Sequence, residues 1–162
     1  MKDQKDIDAI LGELQRLYPE AECSLTFDPE KAYELLFSVR LAAQCTDARV
    51  NLVTPVLYSR FPTLQSLAEA SEEEVGEIIH STGFWRAKAR DIVAASKMLL
   101  EEFGGRVPDN MEDRRRIPGV GRKSANLILG DLDGKEGDDS DTHCFQITGL
   151  LGMTAGNKRA RK

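Results

Sequence analysis

No stretch of this 162-residue chain approaches the roughly 18 consecutive apolar residues that a membrane-spanning helix needs. Its start, MKDQKDIDAI, has neither the apolar core nor the small-residue cleavage site of a secretory leader. These absences lead to the expectation of a cytoplasmic protein with no membrane partner. Cysteine is scarce: Cys23, Cys45 and Cys144 are far apart, odd in number and without metal-ligand spacing, so they are expected as reduced thiols. No run alternates apolar and polar residues long enough for a strand, and neither a repeat nor a low-complexity tract is present. Asp131-Leu132-Asp133-Gly134 lacks the glycine and glutamate positions of a calcium loop. An excess of positive charge is missing too: the net charge is −5, which by itself argues mildly against a nucleic-acid partner.

What is present is helix-forming sequence, with charge arranged in blocks. Apolar residues make up 41% and charged residues 30%, enough to build a core and solvate its surface. Ile7, Ile10, Leu11, Leu14 and Leu17 fall at helical spacing, and Pro19 ends that helix. Asp28-Pro29 reads as a cap and first helical position, opening a helix through Leu36, Val39 and Ala43. Further helices are predicted over 47–58, from Thr63, from the Ser71/Glu74 capping box through Ile79, over 85–103, over 109–116 and over 123–129. The expected fold is all-α. Residues 112–123 carry five cations against two acids, residues 131–141 six acids against one lysine, and the tail NKRARK four more cations.

The stretch "RRIPGVGRKSANLILG", residues 115–130, joins two of these helices through a tight turn. The first amides of the second helix have no acceptors within the helix, and the glycines let a ligand approach them closely. Such an N-terminus attracts an anion, phosphate above all, and grips nucleic-acid backbone without reading sequence. Gly119, Val120, Gly121 and Arg122 are therefore candidate DNA-binding residues. Lys123 admits two readings. It is either a solvated phosphate contact, or a partly desolvated amine with a lowered pKa that attacks a sugar carbon and forms a Schiff base.

"IPGVGRKSANLIL" is similar to the L-P-G-V-G-R-K-T-A-N hairpin of the endonuclease III family of helix-hairpin-helix DNA glycosylases. "SDTHCF" resembles the family's V-D-T-H, "RLAAQCTDARVN" its L-S-A-Q-x-T-D-x-x-V-N, and "STGFWRAKARDI" its G-F-Y-x-x-K-A-x-x-I. The four segments stand in the family's order between residues 35 and 145. The resemblance implies a six-helix core over residues 25–130, with the hairpin at 117–123. It implies that 1–24 and 131–162 form an incomplete second helical lobe. It further implies base-excision repair by a bifunctional N-glycosylase and abasic-site lyase that removes oxidised pyrimidines. Lys123 is then the nucleophile at C1′ and Asp141 the group assisting sugar-ring chemistry and proton movement. Members that remove adenine lack the lysine. The partner is duplex DNA with a damaged or missing base, flipped out for reaction. Gln44 is expected to fill the vacated stack and Phe84 to act as the wedge beside it.

Each assignment has a plain structural alternative. Gln44 ends a helix by hydrogen bonding, Phe84 joins Trp85 in the core, Asp141 caps a final helix, and His143 is structural. The chain also departs from the family. Relative to it the chain is C-terminally truncated, and a C-x6-C-x2-C-x5-C iron–sulfur site has no counterpart, so no cofactor or metal is expected. Arg114 and Arg115 replace apolar residues and are expected to face outward, because burying an unpartnered guanidinium is costly. Asp138 and Asp139 should raise the pKa of Asp141 and repel phosphate, and Gln146 stands where arginine is common. The apolar stripe from Ile7 to Leu17 has little to pack against, so a monomer with a tendency to associate through that surface is expected. Two other functions remain open: a non-catalytic DNA-binding remnant of the family, and a module of this fold that binds a protein partner through the exposed stripe.

Overall fold

Every regular element among the described residues is helical, as the lack of alternating sequence requires. The computed structural model describes residues 2–20, 24–133 and 142–154. They form two units. One comprises Met1–Glu22 with Asp139–Lys162, and the other Cys23–Asp138.

In the first unit α1 (Gln4–Leu17) begins at Asp3, whose carboxylate accepts from the Asp6 amide at 2.9 Å. Its Leu11, Leu14 and Leu17 are exposed. The other helix of this unit, α9 (Thr142–Leu150), ends in a turn where the Gly152 carbonyl accepts from the Lys2 amide at 2.7 Å.

The second unit runs α2 (Ala32–Ala42), α3 (Asp47–Arg60), α4 (Leu64–Glu69), α5 (Glu72–Ile79), a 3-10 turn (His80–Thr82), α6 (Trp85–Phe103), α7 (Met111–Arg116) and α8 (Arg122–Asp133). Capping side chains set most of the starts. Thr46 opens α3, Thr63 and Ser66 make a capping box on α4, Ser71 and Glu74 make one on α5, and Asn110 opens α7. The longest helix, α6, carries Ala89, Ile92, Val93, Ser96 and Leu99 on one buried stripe and packs on α4 and α5. α2 is buried almost all round, with Leu35, Leu36, Phe37 and Leu41 essentially inaccessible, and it contacts α3, α6 and α8. Ile117, Ala125 and Ile128 tie the hairpin and α8 to this core.

Three expectations need correction. Asp28-Pro29 does not start α2. Asp28 makes its own turn, accepting at its carboxylate from the Glu30 amide and at its carbonyl from the Lys31 amide, and the helix begins at Ala32. Local side-chain bonding thus outcompeted the helix start. α8 does not stop near Leu129 but continues to Asp133, so Gly130 is tolerated within it. Arg114 does not face outward. It is only 1% exposed, and its Nε donates to the Pro108 carbonyl at 2.5 Å, so a charge on the inner side of α7 is solvated by backbone rather than water. Arg115 is exposed, as expected.

Candidate nucleic-acid interface

The hairpin between α7 and α8 is held from beneath. Ile117 and Val120 are buried, and the Val120 amide donates to the Ile117 carbonyl at 3.1 Å. Gly119, Gly121, Arg122 and Lys123 are therefore left on the exposed side. Gly119 has φ +78, a left-handed conformation that only glycine adopts cheaply. A Cβ there would also stand 2.7 Å from Arg40 Cδ and Nε and 3.0 Å from Asp91 Cβ. Gly121 differs: its φ lies outside the left-handed range, and nothing stands within 4 Å of the place a Cβ would take. Its carbonyl accepts from the Ala125 amide at 2.9 Å, so Gly121 is the residue from which α8 starts. The two glycines thus leave room for different things, Gly119 for the protein and Gly121 for a ligand.

Arg40 and Asp91 form the support on which the hairpin rests. Arg40 Nε and Nη2 both donate to Asp91 Oδ2, at 2.9 and 2.8 Å, and both side chains are largely buried. This charge-assisted pair joins α2 to α6 under Gly119.

Along the same two helices stand the other sequence-predicted residues. Gln44 follows the end of α2 with φ +54, and Phe84 precedes α6 with φ +48 and ψ +29. Among the described residues these are the two non-glycine residues in the left-handed region. Each conformation costs about 1 kcal/mol or more. Both side chains are exposed, Phe84 at 71%. Gln44 makes no side-chain hydrogen bond among the described residues, so it is not a helix-end bonding residue. Phe84 is not core either. The core-facing role falls to Trp85, whose indole lies where a Cβ on Gly76 of α5 would come within 2.6 Å. Gln44 and Phe84 rim a cavity of about 220 Å³ lined also by Arg40, Ala43, Ala87 and Lys88. Two exposed side chains on left-handed backbone thus stand at one cavity.

Lys123 is exposed on the first turn of α8. Asp141 lies outside the described residues, as do Asp138 and Asp139, and the side chain of His143 is likewise not described. Gln146 is exposed on α9. The basic block beside the hairpin is smaller than its sequence count. Arg114 is buried, and Arg116 is engaged by Glu102 and by Asp113 at 3.1 Å. Hydrogen bonds from Asn110 and Arg116 hold the Asp113 carboxyl below its ordinary range. Arg115, Arg122 and Lys123 are exposed on this face. Among the described residues no three His, Cys, Asp or Glu side chains gather as metal ligands. The three cysteines of the sequence do not fit a cluster that needs four thiolates.

A helix-hairpin-helix with a lysine on its outgoing first turn, flanked by two strained loops over a cavity, defines an all-α helix-hairpin-helix DNA glycosylase fold. Residues 37–162 match the family described as HhH-GPD superfamily base excision DNA repair protein. The endonuclease III of Synechocystis sp. is 46% identical over 146 residues, covering 90% of this chain and 66% of that protein. The endonuclease III of Bacillus subtilis is 36% identical, covering 94% of this chain and 69% of that protein. The structure of a trapped endonuclease III–DNA covalent intermediate, an estranged-adenine complex, superposes with a TM-score of 0.90 at 34% identity. It covers 98% of this chain and 73% of that one. The chain belongs to the endonuclease III family of this superfamily, and it spans about two thirds of the length of the curated relatives it matches. No helix among the described residues is long and apolar enough to cross a membrane.

Sequence reasoning missed Arg40 and Asp91 and gave no role to Lys88, although Lys88 stands at the lysine of the G-F-Y-x-x-K-A-x-x-I segment. The signal for Lys88 was available: it falls on the apolar stripe of α6 with Ala89 and Ile92, where a charged residue needs a reason.

Proposed function

We propose that this chain is a bifunctional DNA glycosylase and abasic-site lyase acting on oxidised pyrimidines in duplex DNA. The observation that carries the reading is the placement of Lys123 directly beyond a hairpin whose Gly121 face is open to a phosphate. The hairpin grips the backbone beside the lesion, with Arg122 adding charge. Gln44 and Phe84 enter the duplex where the damaged nucleotide leaves it, and Phe84 stacks on an exposed base. Closure of the DNA over α8 removes water from around the Lys123 amine and brings it against the sugar. The amine attacks C1′, the N-glycosidic bond breaks, and the base departs with the bonding pair and takes up a proton. Ring opening gives a Schiff base between Lys123 and C1′. Loss of a C2′ proton then expels the 3′ phosphate by β-elimination, and water returns the free amine. Asp141 is assigned the proton movements at the sugar.

Support comes from the family, from the strain concentrated at the two rim residues, and from the relative that has been trapped as a covalent intermediate with DNA. The chain is proposed to act as a monomer, without a cluster of its own and in the compartment that holds DNA. A duplex carrying thymine glycol tests the reading. Release of the free base is expected together with a nick that leaves a 3′ unsaturated aldehyde. Failure to release the base from a duplex the protein binds overturns it.

A further inference from the structure

Lys88 is the cation that the proposed reaction does not use. It is 1% exposed on α6, and its Nζ donates to two backbone carbonyls, Leu41 and Thr82, each at 2.8 Å. Leu41 lies in the last turn of α2, three residues before Gln44, and Thr82 closes the 3-10 turn two residues before Phe84. Carbonyls at a helix end lack N–H donors within the helix and carry its partial negative charge, so a buried ammonium is matched to both. The burial still has a cost: desolvation pushes the Lys88 pKa down from the ordinary lysine value. Methionine would fill the same space without that cost, but it would leave both carbonyls unsatisfied and the two loops unconnected. One helical turn further along α6, the Arg40–Asp91 pair fastens the same two helices. With that second fastening in place, the bond from Lys88 bears on the short stretches of backbone nearest the cavity rim.

We propose that Lys88 is a positioning residue for the DNA wedge: its ammonium ties the backbone under Gln44 to the backbone under Phe84 and sets their separation across the cavity. The inference rests on the assignment of Gln44 and Phe84 to the base stack. The two left-handed residues are thereby over-determined by one side chain, and strained backbone persists only under such constraint.

Binding to a duplex with 2-aminopurine opposite a tetrahydrofuran abasic analogue tests it, because stack opening is read by fluorescence and no bond is broken. Wild type is expected to brighten the probe. Lys88→Met is expected to lower that response about tenfold, as small misplacements do, while binding to undamaged duplex changes less than about twofold. Lys88→Arg, which keeps two donors, is expected to restore at least half of the response. In a Gln44→Ala/Phe84→Ala background Lys88→Met should change nothing further, since the lysine acts through those residues. A wild-type response in Lys88→Met overturns the proposal, as does a loss that adds in full to that background. If Lys88→Met does not fold, the same cycle run with Lys88→Gln, too short to reach both carbonyls, decides: a non-additive loss supports the proposal, and an additive one or none overturns it. Wild type that binds without opening the stack overturns the wedge assignment and the proposal together. Failure of the lyase reading alone shows differently, as a chain that opens the stack yet leaves the base in place.

Discussion

Gly119 and Gly121 stand two residues apart and are glycine for different reasons. At Gly119 the backbone is left-handed and the Arg40–Asp91 pair fills the space a side chain would need. Gly119→Ala is expected to destabilise the fold by about 2 kcal/mol, combining the left-handed backbone cost with displacement of a buried ion pair. Gly121 is unstrained and open on the side where a Cβ would project. Gly121→Ser supplies a good helix cap and should leave the melting temperature unchanged, yet weaken binding to abasic-site duplex about tenfold by blocking the backbone's approach to phosphate. Thermal melts and binding titrations on the two variants separate the roles. Equal loss of stability in both would contradict the assignment. The sequence showed both glycines but not this division, because two identical residues differ here only in φ and in what α2 and α6 bring beside them.

At the scale of the element, α6 is the helix on which the site depends. Phe84 just before it is left-handed and outward, Trp85 packs on α5, Lys88 reaches α2, and Asp91 anchors Arg40. Four functions sit within its first two turns. The start of this helix is strained where most helices are capped by a polar side chain, and Phe84 makes no cap hydrogen bond. Phe84→Gly is accordingly expected to stabilise the protein by about 1 kcal/mol, raising its melting temperature by about 3 °C, while it removes most activity on damaged duplex. A variant that melts lower, or that keeps full activity, would show that the strain at Phe84 serves neither purpose. Helix positions in this region were legible from periodicity and caps: α3, α5 and α6 begin at Asp47, Glu72 and Trp85, where helices over 47–58, from the Ser71/Glu74 box and over 85–103 are predicted. Starts governed by a side chain bonding its own neighbours, as at Asp28, were not. Nor was the inward turn of Arg114, since helical spacing alone does not reveal a carbonyl waiting at Pro108.

At the scale of the whole molecule, an acidic chain presents a small cationic face. Net charge is −5, and within the basic block around the hairpin Arg114 is buried and Arg116 is paired, while Arg115, Arg122 and Lys123 are exposed. On the proposed function, affinity on such a face comes from geometry as much as from charge, through the hairpin amides and the wedge. The family was readable in four short segments, but the supports that join them, Lys88 and the Arg40–Asp91 pair, link residues 41 with 88 and 40 with 91 and become visible only when α2 lies beside α6. The central claim is that Lys123 is a nucleophile and not merely a phosphate contact. Sodium borohydride trapping on abasic-site duplex tests it most directly, because reduction of the Schiff base fixes the protein to C1′ through a stable amine. The account predicts a one-to-one covalent adduct that peptide mapping places on Lys123 and that Lys123→Gln abolishes while still binding the duplex. A wild-type chain that binds abasic-site DNA and gives no adduct, or an adduct that survives Lys123→Gln, would contradict it.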